Sequence, residues 1–350
     1  MKRQVILFCI PPSCGGAERV TLTIAKLLDS TSFDIKIAII GKTEGEIIDF
    51  IPKHMEVFHV RINNIWDFTT LRLVQLFKKT KPTFVFCSLM HLNTRVISAA
   101  KIVQNIKIII RNNIGFYRMR ADNAFLIKKL YPYADKIILQ TEEMKKEMID
   151  YLKIDKQKLH VIFNPIDTES INRSLFDCQS PLDKNYTNYI FVGRIDYSKG
   201  LDILIPAFAK LAEKKTDCRL YIIGKISKTN EYYKRLVNYI SDLKLEDKVI
   251  WTDFTTNPYQ YIKFADCLVL PSRVEGLPNV VLDAMYLKTP VVLTRSVPVI
   301  ERLVPPSRGI IVDVEDADTL AQAMYNVLNI KVIEEYNQIS NSEIVNLFKL

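Results

Sequence analysis

The chain has 350 residues, of which 48% are hydrophobic, and it carries a formal net charge of +9. Because a domain usually contains roughly 100 to 200 residues, this length predicts two domains with sizeable cores. The apolar runs reach only about eight residues, whereas a membrane-spanning helix needs about 20, so none is expected.

The positive charge favours an anionic partner: nucleic acid, an anionic membrane surface or a phosphorylated ligand. Nucleic acid is disfavoured because zinc-finger spacing and an aromatic nucleic-acid signature are absent and charges of both signs are interspersed. The six cysteines include no C-x-x-C pair, which indicates reduced thiols in a cytoplasmic protein. The four scattered histidines predict no metal site.

Strand-like and helix-like segments alternate along the whole chain. Short β-branched and aromatic runs separated by amphipathic segments predict βα units that build parallel sheets. The first half contains the candidate strands "QVILFCI", "FDIKIAII", "MEVFHV", "TFVFCS", "IKIIIR", "DKIILQ" and "LHVIF". The second half contains "TNYIFVG", "CRLYIIG", "KVIWT", "DCLVLPS", "TPVVLT" and "GIIVD".

A segment rich in Asp, Ser, Asn and Pro separates the two halves and predicts a linker. We therefore predict an α/β protein of two Rossmann-like, doubly wound domains, residues 1–165 and 186–330, facing a cleft. Residues 166–185 form the predicted hinge. We expect a C-terminal helix within 331–350 to return to the first domain. Ligands of such sheets bind at the carboxyl ends of the strands.

The loop after the first strand contains Gly15 and Gly16 immediately before a predicted helix. Residues without side chains let the amides of a helix start approach an anion or a sugar. The alternative is a plain tight turn. The loop is not the G-x-G-x-x-G of a dinucleotide site, which disfavours a nicotinamide dehydrogenase.

The corresponding loop of the second half is "FVGRIDYSKG", in which Gly193 ends a strand and Arg194 and Lys199 precede a helix. Cations beside the positive end of a helix repel it unless an anion lies between them. A diphosphate would supply that charge. The alternative is a pair of solvated surface cations.

The stretch "EGLPNVVLDAM" begins with Glu275 and reaches Asp283 eight residues later. Pro278 suits a helix start, and eight helical residues rise roughly 12 Å while returning to nearly the same face. Carboxylates at the two ends would accept hydroxyl hydrogen bonds, and the amides near the helix start would face phosphate. Those amides belong to Leu277, Asn279 and Val280. A nucleotide sugar fits this pattern; ordinary helix-start acids are the alternative.

Together with "TPVVLT" and "GIIVDVEDADTLAQAM", these loops resemble the family 4 retaining glycosyltransferases of the GT-B fold, in order along most of the chain. The resemblance implies that the second domain binds the nucleotide sugar. The family's E-x7-E pair then corresponds to Glu275 and Asp283, and its diphosphate-binding Arg and Lys to Arg194 and Lys199. Its glycine-rich first loop corresponds to Gly15 and Gly16, and Gly224 is retained in "YIIGKISK".

The first half also resembles the acceptor-side domain of this family in "CSLMHLNTRVISAAKI" and "IIIRNN". The resemblance implies that His91 approaches the sugar; a plain helix-capping role is the alternative. It also makes Arg111 a candidate contact for the acceptor or a phosphate.

The resemblance further implies transfer of a hexose or N-acetylhexosamine from a UDP- or GDP-sugar to a glycan or lipid-linked acceptor. Configuration is retained, no metal or other cofactor takes part, and the leaving diphosphate helps to deprotonate the acceptor hydroxyl. Two other functions remain open: a sugar-nucleotide epimerase of the same fold, and a non-catalytic subunit that binds nucleotide sugars.

Residues 115–132 interleave basic and aromatic side chains, as in helices that lie on anionic membranes. Many members of the family that the chain resembles act on lipid-linked glycans at the cytosolic face, so the resemblance implies peripheral contact with the inner face of the cell membrane. A helix packed on the sheet with solvated cations is the alternative.

Three positions depart from the family pattern. Asp283 is one methylene shorter than the usual glutamate, and Ile226 occupies the place of a second glycine. Lys288 stands where a helix-ending glycine is common, so it must either adopt a strained left-handed conformation or end the helix differently. The acidic "EDAD" at 315–318 is interpreted as a helix start rather than a metal site.

Overall fold

A computed structural model of the chain describes residues 4–13, 15–29, 33–42, 45–62, 68–113, 121–333, 336 and 340–349. The chain divides into two compact units, Met1–Ile166 with Gln338–Leu350, and Asp167–Asn337. Each unit contains one parallel sheet with helices packed against it.

The first unit contains a seven-stranded sheet in the order β3-β2-β1-β4-β5-β6-β7. Its strands are β1 (Gln4–Ile10), β2 (Phe33–Gly41), β3 (Glu56–Arg61), β4 (Phe84–Cys87), β5 (Lys107–Asn112), β6 (Lys136–Leu139) and β7 (Leu159–Val161). The helices between them are α1 (Gly16–Asp29), α2 (Thr69–Thr80), α3 (Met90–Val103), α4 (Ala121–Leu130) and α5 (Glu142–Leu152).

The second unit contains a six-stranded sheet in the order β10-β9-β8-β11-β12-β13. Its strands are β8 (Thr187–Val192), β9 (Cys218–Ile223), β10 (Val249–Thr252), β11 (Cys267–Leu270), β12 (Val291–Thr294) and β13 (Gly309–Val312). Its helices are α6 (Thr168–Ser174), α7 (Leu201–Lys214), α8 (Glu231–Asp242), α9 (Tyr259–Phe264), α10 (Asn279–Tyr286), α11 (Ile300–Leu303) and α12 (Ala317–Asn326). Every strand predicted from the sequence is present, which confirms the α/β, doubly wound fold class.

The first sheet is buried on both faces, as a parallel sheet covered by helices should be. Along β1, Leu7 and Cys9 enter one hydrophobic cluster, while Ile6, Phe8 and Ile10 enter the other. Successive side chains of a strand point to opposite faces, and here both faces are buried. The strand therefore reads as a continuous apolar run rather than an alternating one. Among the described residues, no helix combines the length and apolar composition needed to cross a bilayer.

The last described helix, α13 (Ser340–Leu347), belongs to the first unit. Phe348 follows it and is fully buried, with its ring centroid 6.4 Å from that of Phe8 and 5.6 Å from that of Phe84. The Lys136 ammonium donates to the Leu347 carbonyl at 2.5 Å. The C-terminal segment therefore completes one of the two hydrophobic clusters of the first unit.

The segment predicted as a hinge contains structure of its own. Helix α6 starts at an Asp167 cap, whose side chain accepts from the Ser170 amide at 3.0 Å, and Ile171 is fully buried. The division between the units falls at residues 166 and 167. A hinge movement at this place stays a prediction.

Lysines stand in left-handed conformation at the ends of four helices. The φ angles of Lys81, Lys153, Lys244 and Lys288 lie between 47° and 62°. Lys288 thus adopts the first of its two predicted conformations, and α10 still ends normally, because the Thr289 amide donates to the Ala284 carbonyl at 2.9 Å. Among the described glycines, Gly45 and Gly200 have a positive φ, and neither follows the end of an α-helix.

Candidate active site

The loop after β8 presents Arg194 at the carboxyl edge of the second sheet. Its side chain is 80% exposed, and its Nε lies 3.4 Å from Asp196. Asp196 shapes the loop by accepting from the Ser198 amide at 2.9 Å, which starts a short turn that carries Lys199. Arg194 is therefore a solvent-facing cation on a loop that is held by its own hydrogen bonds.

Gly200 lets this loop enter α7. Its φ is 67°, and a Cβ at this position would lie 2.1 Å from the Pro271 carbonyl oxygen. Only glycine avoids both the left-handed strain and the clash. The two loops that follow β8 and β11 consequently touch at the backbone.

Lys199 and Glu275 form an ion pair across these two loops. The Lys199 ammonium lies 2.6 Å from Glu275 Oε1, and the side chains are only 16% and 10% exposed. The buried Ser272 hydroxyl donates to the same oxygen at 2.7 Å. In this structure a protein carboxylate therefore neutralises Lys199, and the predicted diphosphate between Arg194 and Lys199 stays a prediction.

Helix α10 starts after Pro278, which caps it in extended conformation rather than occupying the first helical position. Glu275 lies in the preceding loop, as predicted, and Asp283 lies inside the helix, partly buried. Near the helix start, Leu277 is buried and Asn279 and Val280 are half-buried. The predicted sequence of groups is therefore present: Glu275 lies in the loop, the amides lie near the start of α10, and Asp283 lies inside the helix.

The loops after β8 and β9 approach each other at Gly193 and Gly224. A Cβ on Gly224 would lie 2.1 Å from the Gly193 carbonyl oxygen, so no larger residue fits. Ile226, which replaces a glycine of the family pattern, has its amide bonded to Asp253 at 3.0 Å. The backbone amides of Ile226 and Phe254 lower the pKa of Asp253 because they stabilise its charged form.

Sequence reasoning missed Arg273, the most connected side chain of this region. Its guanidinium donates to Asp202 at 2.8 and 2.9 Å and to Glu315 Oε2 at 3.0 Å. Hydrogen bonding to Asp202 raises the pKa of Arg273. Burial alone would raise the pKa of Asp202, but hydrogen bonds from Arg273 and Tyr232 outweigh it and the pKa is lowered. The one sequence signal was an arginine two residues before Glu275.

The acidic stretch after β13 behaves as a helix start. Asp316 caps α12 by accepting from the Thr319 amide at 2.9 Å. Within the described part of the chain, no cluster of three or more His, Cys, Asp or Glu side chains could hold a metal ion.

In the first unit, α1 begins at Gly16, directly after Gly15. The mostly buried Glu18 accepts from the Ser13 hydroxyl at 2.7 Å and would lie 2.8 Å from a Cβ placed on Gly15. A side chain on Gly15 would therefore have to displace that carboxylate. The turn at the carboxyl end of β1 is compact and polar.

His91 lies in the first turn of α3, and its side chain does not cap the helix. His91 is exposed, and its backbone carbonyl accepts from the Arg95 guanidinium. Partial burial and the Arg95 cation lower the pKa of His91, while the Glu18 carboxylate opposes them. The ring is consequently neutral at pH 7 and can either donate or accept a hydrogen bond.

Arg111 is 2% exposed near the carboxyl end of β5. Its Nη2 donates to the Asn164 amide oxygen, whereas its Nη1 has no hydrogen-bond partner in the described ranges. Among the described residues no carboxylate pairs with it, and burial lowers its pKa to about 10. The structure thus keeps a buried, protonated guanidinium with one uncommitted nitrogen.

The predicted site residues fall into two groups. Arg194, Lys199, Glu275 and Asp283 all lie on loops and helices of the second unit, and Lys199 and Glu275 are in direct contact. Gly15, His91 and Arg111 lie in the first unit.

Two family models match the chain: "Glyco_transf_4", Glycosyltransferase Family 4, over residues 14–170, and "Glycos_transf_1", Glycosyl transferases group 1, over residues 173–344. An uncharacterised glycosyltransferase of Methanocaldococcus jannaschii is 30% identical over 66% of this chain and 61% of its own length. The chain thus spans less than two thirds of that relative.

A Campylobacter jejuni enzyme is 27% identical over 92% of this chain and 89% of its own length. Its name is N-acetylgalactosamine-N,N'-diacetylbacillosaminyl-diphospho-undecaprenol 4-alpha-N-acetylgalactosaminyltransferase. Among solved structures, HepE of Anabaena in complex with UDP has a TM-score of 0.80 at 17% identity, covering 98% of each chain. The protein belongs to the group 1, family 4 glycosyltransferases and has their GT-B fold.

Proposed function

We propose that this glycosyltransferase moves a hexose or N-acetylhexosamine, with retention of configuration, from a UDP- or GDP-sugar to a lipid-linked or polysaccharide glycan. The observation that carries the proposal is the Lys199–Glu275 pair beside the exposed Arg194. A diphosphate carries the charge that these two cations attract, and Glu275 can accept from sugar hydroxyls. The diphospho-undecaprenol in the name of the Campylobacter relative supports a lipid-linked acceptor.

In the proposed reaction, the bond between the anomeric carbon and the diphosphate oxygen breaks, and a bond from that carbon to the acceptor oxygen forms. The acceptor proton passes to the leaving diphosphate, so no protein base is needed. Arg194 and Lys199 stabilise the charge that grows on the leaving group, which is a preorganised electrostatic role. Asp283, farther along α10, accepts from the ribose, and no metal ion takes part.

The first unit is proposed to bind the acceptor. The neutral His91 would contact the transferred sugar. Arg111 would meet an acidic group of the acceptor through its uncommitted Nη1.

The test is an incubation of the protein with UDP-, GDP- and ADP-sugars. Transfer or slow hydrolysis of one donor supports the proposal. An isomerised donor would instead identify an epimerase, and binding without turnover a non-catalytic subunit. Arg194→Ala should lower turnover by about 10² to 10³. The matched control is Arg173→Ala, since Arg173 is 74% exposed and also pairs with a carboxylate.

We also propose that the protein contacts an anionic membrane through α4. Phe125 and Leu126 are exposed beside the exposed Lys128 and Lys129, which suits apolar insertion combined with attraction to acidic lipids. Phe116, Tyr117, Arg118 and Arg120 of the predicted segment lie outside the described residues, and Tyr131 at its end is fully buried.

Sedimentation with phosphatidylglycerol vesicles tests the contact. Phe125→Ala with Lys128→Glu should abolish binding, whereas Phe176→Ala, at an exposed aromatic of the second unit, should not. Wild-type protein that stays in solution with anionic vesicles would refute the membrane contact and leave the transfer reaction unaffected.

A further inference from the structure

Arg273 uses its whole side chain to hold other protein groups. Nη1 donates to Asp202 and to the Tyr197 carbonyl, the latter at 2.7 Å, and Nη2 donates to Asp202 and Glu315. Nε donates to Glu315 as well. A guanidinium has five N–H donors, so all of them are committed.

Its planar face is engaged too. The Arg273 guanidinium carbon lies 3.7 Å from the centre of the Tyr197 ring, and that ring meets Tyr232 edge-on. The Tyr232 hydroxyl donates to Asp202 at 2.7 Å. Fork-like pairing and stacking together fix an arginine in one orientation, which lysine cannot reproduce.

These contacts join the loop of Lys199 to the loop of Glu275. The Arg273 amide donates to the Ser198 carbonyl at 2.8 Å, and the side chain holds the neighbouring Tyr197 carbonyl. Lys199 is the next residue on one loop, and Glu275 is two residues away on the other. Besides their own ion pair, Lys199 and Glu275 are therefore held near each other by contacts of Arg273 with both loops.

A third loop is drawn into the same arrangement. Glu315, after β13, has a φ of 64°, a left-handed conformation that is uncommon for glutamate. A strained residue persists where the surrounding contacts hold it in place. Strained residues cluster at functional sites, so the conformation of Glu315 is a reason to look for a role. Its ion pair with Arg273 supplies such contacts.

We propose that Arg273 is a positioning residue for the transfer reaction: it sets Glu275 and Lys199 in register by clamping their two loops. This inference rests on the proposed function. With every donor of its guanidinium committed, Arg273 does not itself bind the diphosphate. It acts through the geometry of the pair, where a displacement of about 1 Å can lower a rate 10²-fold.

Kinetics with the accepted donor test this role. Arg273→Met should lower kcat by about 10- to 100-fold while the donor KM changes less than threefold, and Arg273→Lys should recover only part of the loss. The matched control is Arg219→Met. Arg219 also pairs with an aspartate, Asp183 at 2.9 Å, and stacks 3.8 Å from Tyr186, but it lies at the amino end of β9. The Arg219→Met variant should have a lower free energy of unfolding and an unchanged kcat.

A double-mutant comparison separates positioning from general damage. If Arg273 acts through Glu275, Arg273→Met should change the rate less than twofold once Glu275→Gln is already present. Independent, multiplied losses would overturn the proposal, as would equal losses of kcat in the Arg273 and Arg219 variants.

Hydrogen exchange of the unliganded protein gives a readout that needs no turnover. Arg273→Met should speed amide exchange in both 194–200 and 272–277, and Glu315→Gln, at a half-exposed position, is a milder second variant if the first folds poorly. Unchanged exchange in both loops would refute the clamp. A wild-type protein that turns over no donor would refute the proposed function alone, because the exchange result still decides whether Arg273 holds the loops.

Discussion

The two units treat a buried cation near the carboxyl edge of a parallel sheet in opposite ways. In the second unit, Lys199 is paired with Glu275 at 2.6 Å, close to the ion pairs that Arg273 forms with Asp202 and Glu315. In the first unit, Arg111 is buried more completely but contacts the amide of Asn164, and one of its nitrogens has no partner among the described residues. Within the part of the chain that the structure describes, a carboxylate neutralises Lys199 and none neutralises Arg111.

This difference shows what each region contributes. A paired cation is held in place before a ligand arrives, because its carboxylate partner compensates for the water that the buried ammonium has lost. An unpaired guanidinium in a dry site has lost its water without full compensation, so an anionic ligand would restore part of that free energy. Removal of Lys199 and removal of Arg111 should therefore affect stability in opposite directions.

The largest expected effect is on catalysis by Lys199→Ala. We expect kcat with the accepted donor to fall by about 10² to 10³, because one donor of charge stabilisation on the leaving diphosphate is lost. The folded protein should also be destabilised, since Glu275 loses its cation. The control is Lys215→Ala, whose ammonium pairs with Asp217 at 3.1 Å, beside the amino end of β9. A normal kcat in the Lys199 variant would remove this residue from the reaction.

Arg111→Met should separate binding from stability in the first unit. We expect the acceptor KM to rise about 10- to 100-fold, which corresponds to a charged hydrogen bond of about 1.5–3 kcal/mol. The urea midpoint should stay equal or increase, because an unpaired buried charge is replaced by an apolar side chain.

Arg308→Met is the matched control, since Arg308 is equally buried but donates to the Met285 carbonyl at 2.8 Å. It should lose stability and keep the acceptor KM. An Arg111→Met protein with an unchanged KM and a lowered midpoint would show that Arg111 is only structural.

The charged arrangement of the second unit should also appear in the pH dependence of stability. The folded-state pKa of Asp202 is lowered, so its ion pair stabilises the protein fully above the unfolded pKa of about 3.9 and is lost as pH falls through the lower folded value. The urea midpoint of Asp202→Asn should thus lie below that of wild type at pH 7, with a gap that shrinks towards pH 3.

Asp242→Asn provides the comparison, because Asp242 is exposed at the end of α8. Its gap to wild type should be small at both pH values. A gap for Asp202→Asn that is constant with pH would mean that its contacts do not depend on the carboxylate charge.

The sequence predicted what depends on local pattern and missed what depends on sheet order. Each strand reads as a short apolar run, because a parallel sheet is buried on both faces, and the helix start near Glu275 follows from Pro278. The contact between Lys199 and Glu275 joins residues 76 positions apart and exists because β8 lies beside β11. Arg273 was missed for the same reason, since its partners come from the loop after β8, the first turn of α7 and the loop after β13.

The smallest expected effect concerns the helix ends where lysine replaces glycine. Lys153→Gly should stabilise the first unit by about 0.5–1 kcal/mol, because relief of left-handed strain, about 1–2 kcal/mol, exceeds the entropy that glycine adds to the unfolded chain. Lys153 is exposed, with a φ of 54°. Lys146→Gly, at an exposed position inside the same helix α5, should instead cost about 1 kcal/mol. Urea unfolding measures both variants, and equal destabilisation would show that Lys153 adopts its conformation without strain.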